Sequence, residues 1–499
     1  MKRRLGRPAA AFIALVAGSA MLQGCTLEPH YQRPAAPVPP GWTDSQSAQS
    51  APANGMSTNG TPAPELGWRQ FFPDPNMQRL IALALSNNRD LRVSILNVQQ
   101  AQAQYRVQRA DLFPTISATA QEQAQKHPAS VLAAQSGVGA VATGTLPSGG
   151  VTIRTYQVEL GFTSYELDLF GRIRSLNHAA FEQYLSAEEN RRSSQLSLVS
   201  EVVSGYLAIL ADETILKVTR ETIDSQGASY ELTKRSLEAG TTTALAFSQA
   251  ASTVDTARAN LAEYTRQEAQ DRNALMLLLG CPIPEDMTFD IDLGTVDLLA
   301  DLPAGVPSIT LTQRPDVLAA EHQLIAANAD IGAARAAFFP SVSLTGSYGT
   351  TSTQLSGLFK AGSSAWSFAP QITLPILTGG KNKATLDLDK VEKDSNVAQY
   401  EKAVQTAFRE VDDALSARQT LNDQLTAQRA VLEETSQSYN LSQLRFKSGV
   451  DSYLPVLDAQ RSLYSAQQAL VSLELTRLQN MATLYKALGG GIRENTGHN

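Results

Sequence analysis

The sequence predicts a mainly α-helical chain with a membrane-facing β part, written twice in tandem. Three observations carry this. Residues 109–117 read RADLFPTIS and residues 335–343 read RAAFFPSVS, so one nine-residue phrase recurs. After each copy the text alternates apolar and polar residues with period two, the pattern of a strand with one apolar face. Long stretches without proline follow: none lies between Pro147 and Pro282, and residues 382–448 contain neither glycine nor proline. Those 67 residues would make a helix roughly 100 Å long, against the ~30 Å of bilayer hydrocarbon.

The repeat extends well beyond the opening phrase. NNRDL at 87–91 matches QRPDV at 313–317, at the same offset of 226 that relates Pro114 to Pro340. YELTKRSLEAG at 230–240 matches YNLSQLRFKSG at 439–449, and LLLG at 277–280 matches KALG at 486–489, both at 209. The difference of 17 places extra length after Pro114, and the Gly/Ala/Ser-rich stretch 126–150 reads as a long external loop. Two repeats spanning most of the chain leave one architecture written twice.

Each copy has one order of elements. A helical stretch comes first, 76–112 and 313–338, and a proline hinge, Pro114 or Pro340, ends it by removing a donor and crowding the preceding turn. A β-hairpin follows, 114–169 and 340–378. In the first, Tyr156, Val158, Leu160 and Phe162 alternate with polar or small residues; in the second, Trp366, Phe368, Ile372 and Leu374 do. The weaker partner strands lie around 115–125 and 341–349. A long helix pair completes each copy. Val397, Tyr400, Val404, Phe408, Val411 and Leu415 step by three and four, a coiled-coil-like seam. The helices turn at LEAGTTTALAF (237–247) and KSGVDSYLPVL (447–457), where Gly240 and Gly449 suit left-handed closing positions. Thr243 and Ser452 are expected N-caps of the return helices, and Pro455 suits a first turn.

The N-terminus carries its own signals. Lys2, Arg3, Arg4 and Arg7 precede an apolar run from Ala9 to Leu22, then LQGC at 22–25. This reads as a secretory leader ending in a lipobox, with Cys25 as the lipid-bearing residue. Thr26, not Asp, follows it, which by likeness to bacterial lipoproteins favours the outer membrane. The net charge of −7 falls to about −11 without the leader, which holds those four cations and no acid; no basic footprint for nucleic acid remains. Cys281 is the one other cysteine, so no intrachain disulfide forms if Cys25 is acylated; it is expected to be a small buried residue at a helix end. Residues 26–66, rich in Pro, Ser, Ala and Gly, read as an extended or loose tether. After the leader no run of ~18 apolar residues proposes a transmembrane helix. The domain plan is therefore a leader at 1–24, a tether at 25–70, a first repeat at 71–280, a linker at 281–312, a second repeat at 313–490 and a tail at 491–499.

Two hairpins give four strands. Four cannot close a barrel, and an open edge in lipid leaves backbone groups without partners. The chain must therefore share a barrel with copies of itself; this physics requires an oligomer without choosing two copies or three.

The pattern resembles the TolC-like outer-membrane factors, and most closely their drug-efflux lipoprotein branch. The matching residues are GCTLEPHYQRPAAP (24–37), NNRDLRVSILNV (87–98), RADLFP (109–114), YELDLFGRIRSL (165–176), AARAAFFPSVSLT (333–345), LDAQRSLYSAQQAL (457–470) and LYKALGGG (484–491). The resemblance implies a homotrimer with a 12-stranded β-barrel continued by a periplasmic α-helical barrel. It also implies a periplasmic adaptor and an inner-membrane pump of resistance-nodulation-division type as partners, and an outer-membrane site in a Gram-negative envelope. It places the periplasmic gate at Leu454, Asp458 and Arg461: an apolar constriction, a carboxylate ring one turn on, and a cation that holds the closed arrangement by binding nearby carboxylates or carbonyls. Pro455 stands where some members carry a second acid. The tip turns Gly240–Thr241 and Gly449–Val450 are matched to adaptor contacts.

No bond chemistry is signalled. His30, His127, His178, His322 and His498 have no metal-ligand partners at motif spacing, there is no HExxH or CxxC, and GLFKAG (357–362) and LGGG (488–491) lack the strand–loop–helix context of a phosphate site. No enzyme, metal or cofactor is expected beyond the lipid on Cys25. Rival readings are a structural coiled-coil lipoprotein, which leaves the period-two text unexplained, an envelope enzyme on a helical stalk, and a protein-secretion or metal-efflux duct of the same architecture.

Overall fold

The structure is a computed structural model that describes residues 26–39, 41–42, 66–128, 150–296, 298 and 308–495. The leader, Cys25, His498 and most of the 126–150 loop lie outside them. The helices are α1 (Trp68–Phe71), α2 (Pro75–Asn87), α3 (Arg89–Ala110), α4 (Arg172–Glu238), α5 (Ala244–Leu279), α6 (Pro315–Ala336), α7 (Lys381–Lys447) and α8 (Leu454–Ala487). The strands are β1 (Ile116–His127), β2 (Val151–Leu167), β3 (Ser341–Ser352) and β4 (Ser364–Thr373). α4 and α7 are each 67 residues long and begin and end at the 209 offset. The described chain forms two compact units. Neither is a repeat: each takes pieces of both.

One unit holds the N-terminal residues up to Gln32 with Ala101–Tyr184 and Gln323–Asn396. Its centre is one antiparallel sheet in the order β1-β2-β3-β4. Ile116 pairs with Phe162, Leu160 with Tyr348, and Tyr348 with Trp366. Directly opposed residues share a face, so Ile116, Phe162, Leu160, Tyr348, Trp366, Phe368 and Ile372 make one apolar face, with Trp366 76% exposed. The other face is polar: Gln121 donates to Gln157 at 3.1 Å, Gln157 to Glu159 at 2.8 Å, and Ser347 and Ser367 are 2.8 Å apart. A bulge between Phe162 and Tyr165 sets Ser164 at φ 58°, the one positive-φ non-glycine residue among those described. Among the described residues β1 and β4 are edges without a further strand neighbour.

Both proline hinges work alike. Phe113 and Phe339 close the last turns of α3 and α6 by donating to Ala110 and Ala336, each at 3.0 Å, and the proline then diverts the chain into β1 or β3. α4 starts beside two ion pairs, Arg172 on Glu166 at 2.6 Å and Arg174 on Asp168 at 3.1 Å. Ala179 packs against Ala326 and Ala329, small side chains that let α4 and α6 approach closely.

The N-terminal segment corrects an expectation. Residues 26–39 have no regular structure, but they are tied down. In this unit the carbonyls of Leu27 and Pro29 accept from Arg335 and Asn328 at 3.1 and 2.7 Å. Gly332 makes room: a Cβ there would lie 2.9 Å from Glu28 Cα. His178 sits between Glu28 and Glu182 at 3.0 and 3.3 Å. Hydrogen bonds to Glu182 and then Glu28 push its imidazole up to about 10.

The other unit holds Arg33–Gln100, Leu185–His322 and Val397–Asn499. There Arg33 grips Glu321 with two bonds of 2.6 and 2.7 Å, and Trp42 stacks on Phe408. Its core gathers Trp68, Phe71, Phe72, Met77, Tyr206 and Tyr485, with Phe71 stacked on Tyr485 at 4.0 Å. One stretch of α4 is apolar enough to cross a bilayer by composition, but most of it is buried in the protein; Val202, Val203, Tyr206, Leu207, Ile209 and Leu210 are all in the core.

The expected helix 76–112 is two helices. Asn88 breaks it, because its backbone N–H closes α2 on Ala84 while its side chain accepts from Leu91 N–H at 2.7 Å, starting α3. Its amide also donates to the Leu278 carbonyl at 2.8 Å. At the matching positions Arg314 donates to the Ala487 carbonyl at 2.9 Å, and its guanidinium is neutralised by Asp316 and Glu410. Cys281 is only half-buried, with Sγ 4.0 Å from Asn87 Nδ2.

Asp212 is the misfit in this core. It is 7% exposed and its Oδ2 meets no donor. Burial, then hydrogen bonding to Asp271, pushes its carboxyl up to about 7. Glu268 and Glu213 add repulsion, while Arg272 pairs with both of those glutamates. The matching residue of the second repeat is Leu421.

Two outcomes follow from these buried and paired charges. An acid with a raised folded-state pKa stabilises fully below its unfolded value and loses that contribution as pH rises. Between pH 4 and 7 the Tm of the second unit's helices, followed by circular dichroism in detergent, should therefore fall, and Asp212→Asn should flatten that fall. For His178, raised above its ordinary value, stabilisation is complete below about 6.5 and is lost as pH climbs through about 10. His178→Phe should speed hydrogen exchange of the Leu27–Tyr31 amides at neutral pH, while leaving the β-sheet amides unchanged.

Candidate functional site

The two tips where long helices turn back are built alike. Gly240 and Gly449 both have φ 72°. Gly240 N–H donates to Leu237 and Thr241 N–H to Ser236; Gly449 donates to Phe446 and Val450 to Arg445, all at 2.8 to 3.0 Å. This is the Schellman closure, in which a left-handed glycine satisfies the last carbonyls of a helix. A side chain at either glycine would meet open space but a strained backbone. Thr241 and Val450 are therefore presented at exposed turns.

The return helices start differently. Thr243 caps α5, accepting from Ala246 N–H at 3.2 Å. Ser452 does not cap α8. The cap position falls to Tyr453, without a side-chain bond, and Pro455 sits in the first turn. Tyr453 already has helical dihedrals of −72° and −18°, and its ring is buried against Phe446 at 5.2 Å. Packing of that ring fixes where α8 begins. Arg445 braces the preceding turn through Asp451 at 2.5 and 3.1 Å and holds that carboxyl below its usual range.

Leu454, Asp458 and Arg461 lie at i, i+4 and i+7 of α8, hence on one stripe of it. All three are exposed, whereas Tyr453, Val456, Leu457 and Gln460 are buried. No hydrogen bond or ion pair engages Arg461 among the described residues. On the first tip Leu245 is 69% exposed and Gln249 occupies the place of Asp458. A cleft of about 510 Å³ lies between the tips, lined by Thr233, Thr243, Leu245, Gln249, Tyr453 and Leu454 among others.

Behind the stripe is a polar network that sequence reading missed. Gln460 donates to Ser225 Oγ at 3.2 Å, Ser225 meets Tyr439 Oη at 2.7 Å, and Gln443 donates to the same hydroxyl at 2.7 Å. One turn on, Tyr464 meets Thr219 at 2.9 Å. These bonds tie α8 to α4 and α7. The available signal was polar residues at 460 and 464 recurring with the same spacing of four as the apolar seam. No group of metal-binding side chains occurs among the described residues. Chemically, the site offers an apolar step, a carboxylate and a guanidinium on a helix held by breakable hydrogen bonds.

Comparison with known proteins places this geometry. The family described as "Outer membrane efflux protein" matches residues 80–281 and 306–490. The antibiotic efflux pump outer membrane protein ArpC of Pseudomonas putida is 48% identical over 491 residues, 97% of this chain and 96% of its own length. The toluene efflux pump outer membrane protein TtgC of a P. putida strain matches over the same shares at 48% identity. The open-state crystal structure of the Neisseria gonorrhoeae MtrE outer membrane channel superposes with a TM-score of 0.82 at 39% identity, covering 95% of this chain and 100% of that one. With two hairpins, two proline hinges and two glycine-closed tips in the positions the family match spans, the chain belongs to the outer membrane efflux proteins, the TolC-like channels of the Gram-negative outer membrane.

Proposed function

We propose that the chain is the outer-membrane duct of a tripartite efflux pump, conducting small apolar or amphipathic molecules passively outward. It works as a homotrimer whose twelve strands close a barrel and whose helices continue it into the periplasm. A periplasmic adaptor and an inner-membrane pump of resistance-nodulation-division type deliver the cargo and supply the energy. Cys25 carries the lipid. The observation that supports this most is the sheet: four strands, an exposed apolar face, a polar opposite face and two free edges. Such a sheet fits a barrel wall, apolar outward and polar inward. The relatives named for antibiotic and toluene pumps support this cargo class without choosing within it.

The gate is the Leu454–Asp458–Arg461 stripe. Around a threefold axis it gives one apolar ring and one carboxylate ring, and Arg461 finds its partner on a neighbouring copy. The tips Gly240–Thr241 and Gly449–Val450 are the adaptor contacts. Movement of α8 away from α4 breaks the Gln460–Ser225 and Tyr464–Thr219 bonds and widens the aperture.

Purified protein in planar bilayers should show a small closed conductance. Asp458→Ala should raise it severalfold, as should Tyr464→Phe, which loses the bond to Thr219; unchanged closed conductance in both would remove the gate from these residues. Deleting the gene should sensitise cells to drugs or solvents and leave protein secretion intact, whereas the reverse phenotype would assign the duct to secretion.

A further inference from the structure

The apolar face of the sheet changes character at one end. Along this face Leu167 pairs with Val342 and Tyr156 with Ser352, ten steps apart on β3. Ten steps span ~33 Å of strand, or about 25 Å of height at the usual barrel tilt, which is the height of the apolar band on a membrane barrel. Toward its far end the band carries Tyr156, Tyr348 and Trp366, rings with a polar edge of the kind found at membrane–water interfaces. This end lies away from the proline hinges. Ile116 and Ser341 start the strands just after Pro114 and Pro340, whereas His127, Val151, Ser352 and Ser364 bound the hairpin turns. On the barrel-wall reading the turns face outside the cell.

Beyond the rings the same face turns basic. Residues two apart on a strand share a face, so Arg154 continues the row of Tyr156, and Lys126 continues that of Glu122 and Ala124. Arg154 pairs with Ala124 and Lys126 with Thr152, which makes the two cations diagonal neighbours about 7–8 Å apart. Both are exposed. Glu122 is the one acid on the face at this level among the described residues, and it stands 3.7 Å from Arg154, past hydrogen-bond reach. Lys360 adds a cation in the turn between β3 and β4, where Leu355 and Phe359 are exposed too. The other turn, residues 128–150, contains no charged residue. Of the remaining acids on the sheet, Glu159 is on the polar face with Gln157 and Glu166 binds Arg172 at the hinge end. Three cations thus gather at the outer end of a chain whose net charge is −7.

A basic rim directly above an apolar band fits an occupant with a phosphate at headgroup level and acyl chains below it. A guanidinium and an ammonium at this spacing can hold one phosphate between them. A free phosphate would use the cations and leave the row of Leu160, Tyr348 and Trp366 uncovered, although these are 57%, 68% and 76% exposed. We infer that Arg154 and Lys126 form a binding site for the phosphorylated headgroup of an outer-leaflet glycolipid, whose acyl chains lie along Leu160, Tyr348 and Trp366. The inference rests on the barrel-wall reading proposed above and adds what the outer rim of that wall binds.

Native mass spectrometry of the purified full-length protein, titrated with diphosphoryl lipid A in detergent, tests it. Lys126→Gln with Arg154→Gln should weaken binding at least about tenfold, and the charge-preserving pair Lys126→Arg with Arg154→Lys should keep most of it. Excess inorganic phosphate should not compete. Unchanged affinity in the neutral pair overturns the site, as does an equal loss in the charge-preserving pair, since charge would then not be what binds. Full competition by inorganic phosphate overturns the lipid as occupant. A second measurement separates this inference from the reading beneath it. Trp42 and Trp68 are buried in the protein, so brominated phospholipid in liposomes should quench the wild-type emission through Trp366, and Trp366→Phe should abolish most of that quenching. Quenching that Trp366→Phe leaves unchanged overturns the barrel-wall reading together with the site. Quenching through Trp366 beside charge-independent lipid A binding overturns the site alone.

Discussion

Everything in this protein answers to two unpaired strand edges beneath an apolar surface. An antiparallel edge leaves the N–H and C=O of alternate residues unbonded. For a ten-residue strand such as β4 that is about ten groups, each costing several kcal/mol in hydrocarbon. The sum is on the order of tens of kcal/mol, against a net stability of roughly 5–15 kcal/mol for a folded domain. No rearrangement within one chain recovers such a cost, and no exposed face of tryptophan and phenylalanine suits water. The sheet therefore belongs in lipid with its edges paired.

Duplication supplies the pairing surfaces and the helices in matched numbers. Two hairpins and two long helix pairs arise from one unit, so wall and shaft scale together when copies assemble. Divergence between the halves then carries the specialisation. The carboxylate of Asp458 has Gln249 as its counterpart, and the buried Asp212 has Leu421. The tips keep the same closure yet start their return helices by different means, a threonine cap on one side and a buried tyrosine on the other.

Much of this was legible in the text of the chain because the signals are local. Proline at 114 and 340 ends helices for covalent reasons, positive φ at Gly240 and Gly449 follows from the absent Cβ, and 67 residues without a breaker stay helical. What was not legible depends on partners distant in sequence. Asn88 interrupts a pattern that reads as one helix because a carbonyl 190 residues away takes its amide. Ser452, a good cap by type, loses to the packing of Tyr453. Residues 26–39, extended or loose by composition, are fixed by Arg335, Asn328 and Glu321. The bulge at Ser164 has no sequence mark, and His178 looked inert until Glu28 came beside it. The proposed gate stripe came from resemblance, and the structure adds that its three members share an exposed helical face.

The latch at Asn88 and Arg314 has a bearing on how such chains age. Both reach an equivalent carbonyl, Leu278 or Ala487, with a donor, yet one is a short neutral amide and the other a long cation balanced by two acids. Inheritance here preserved a bond and let the letter that makes it drift. Letter-by-letter matching of the halves therefore understates their kinship, and ancestry in twinned proteins is better measured by which atoms still find each other.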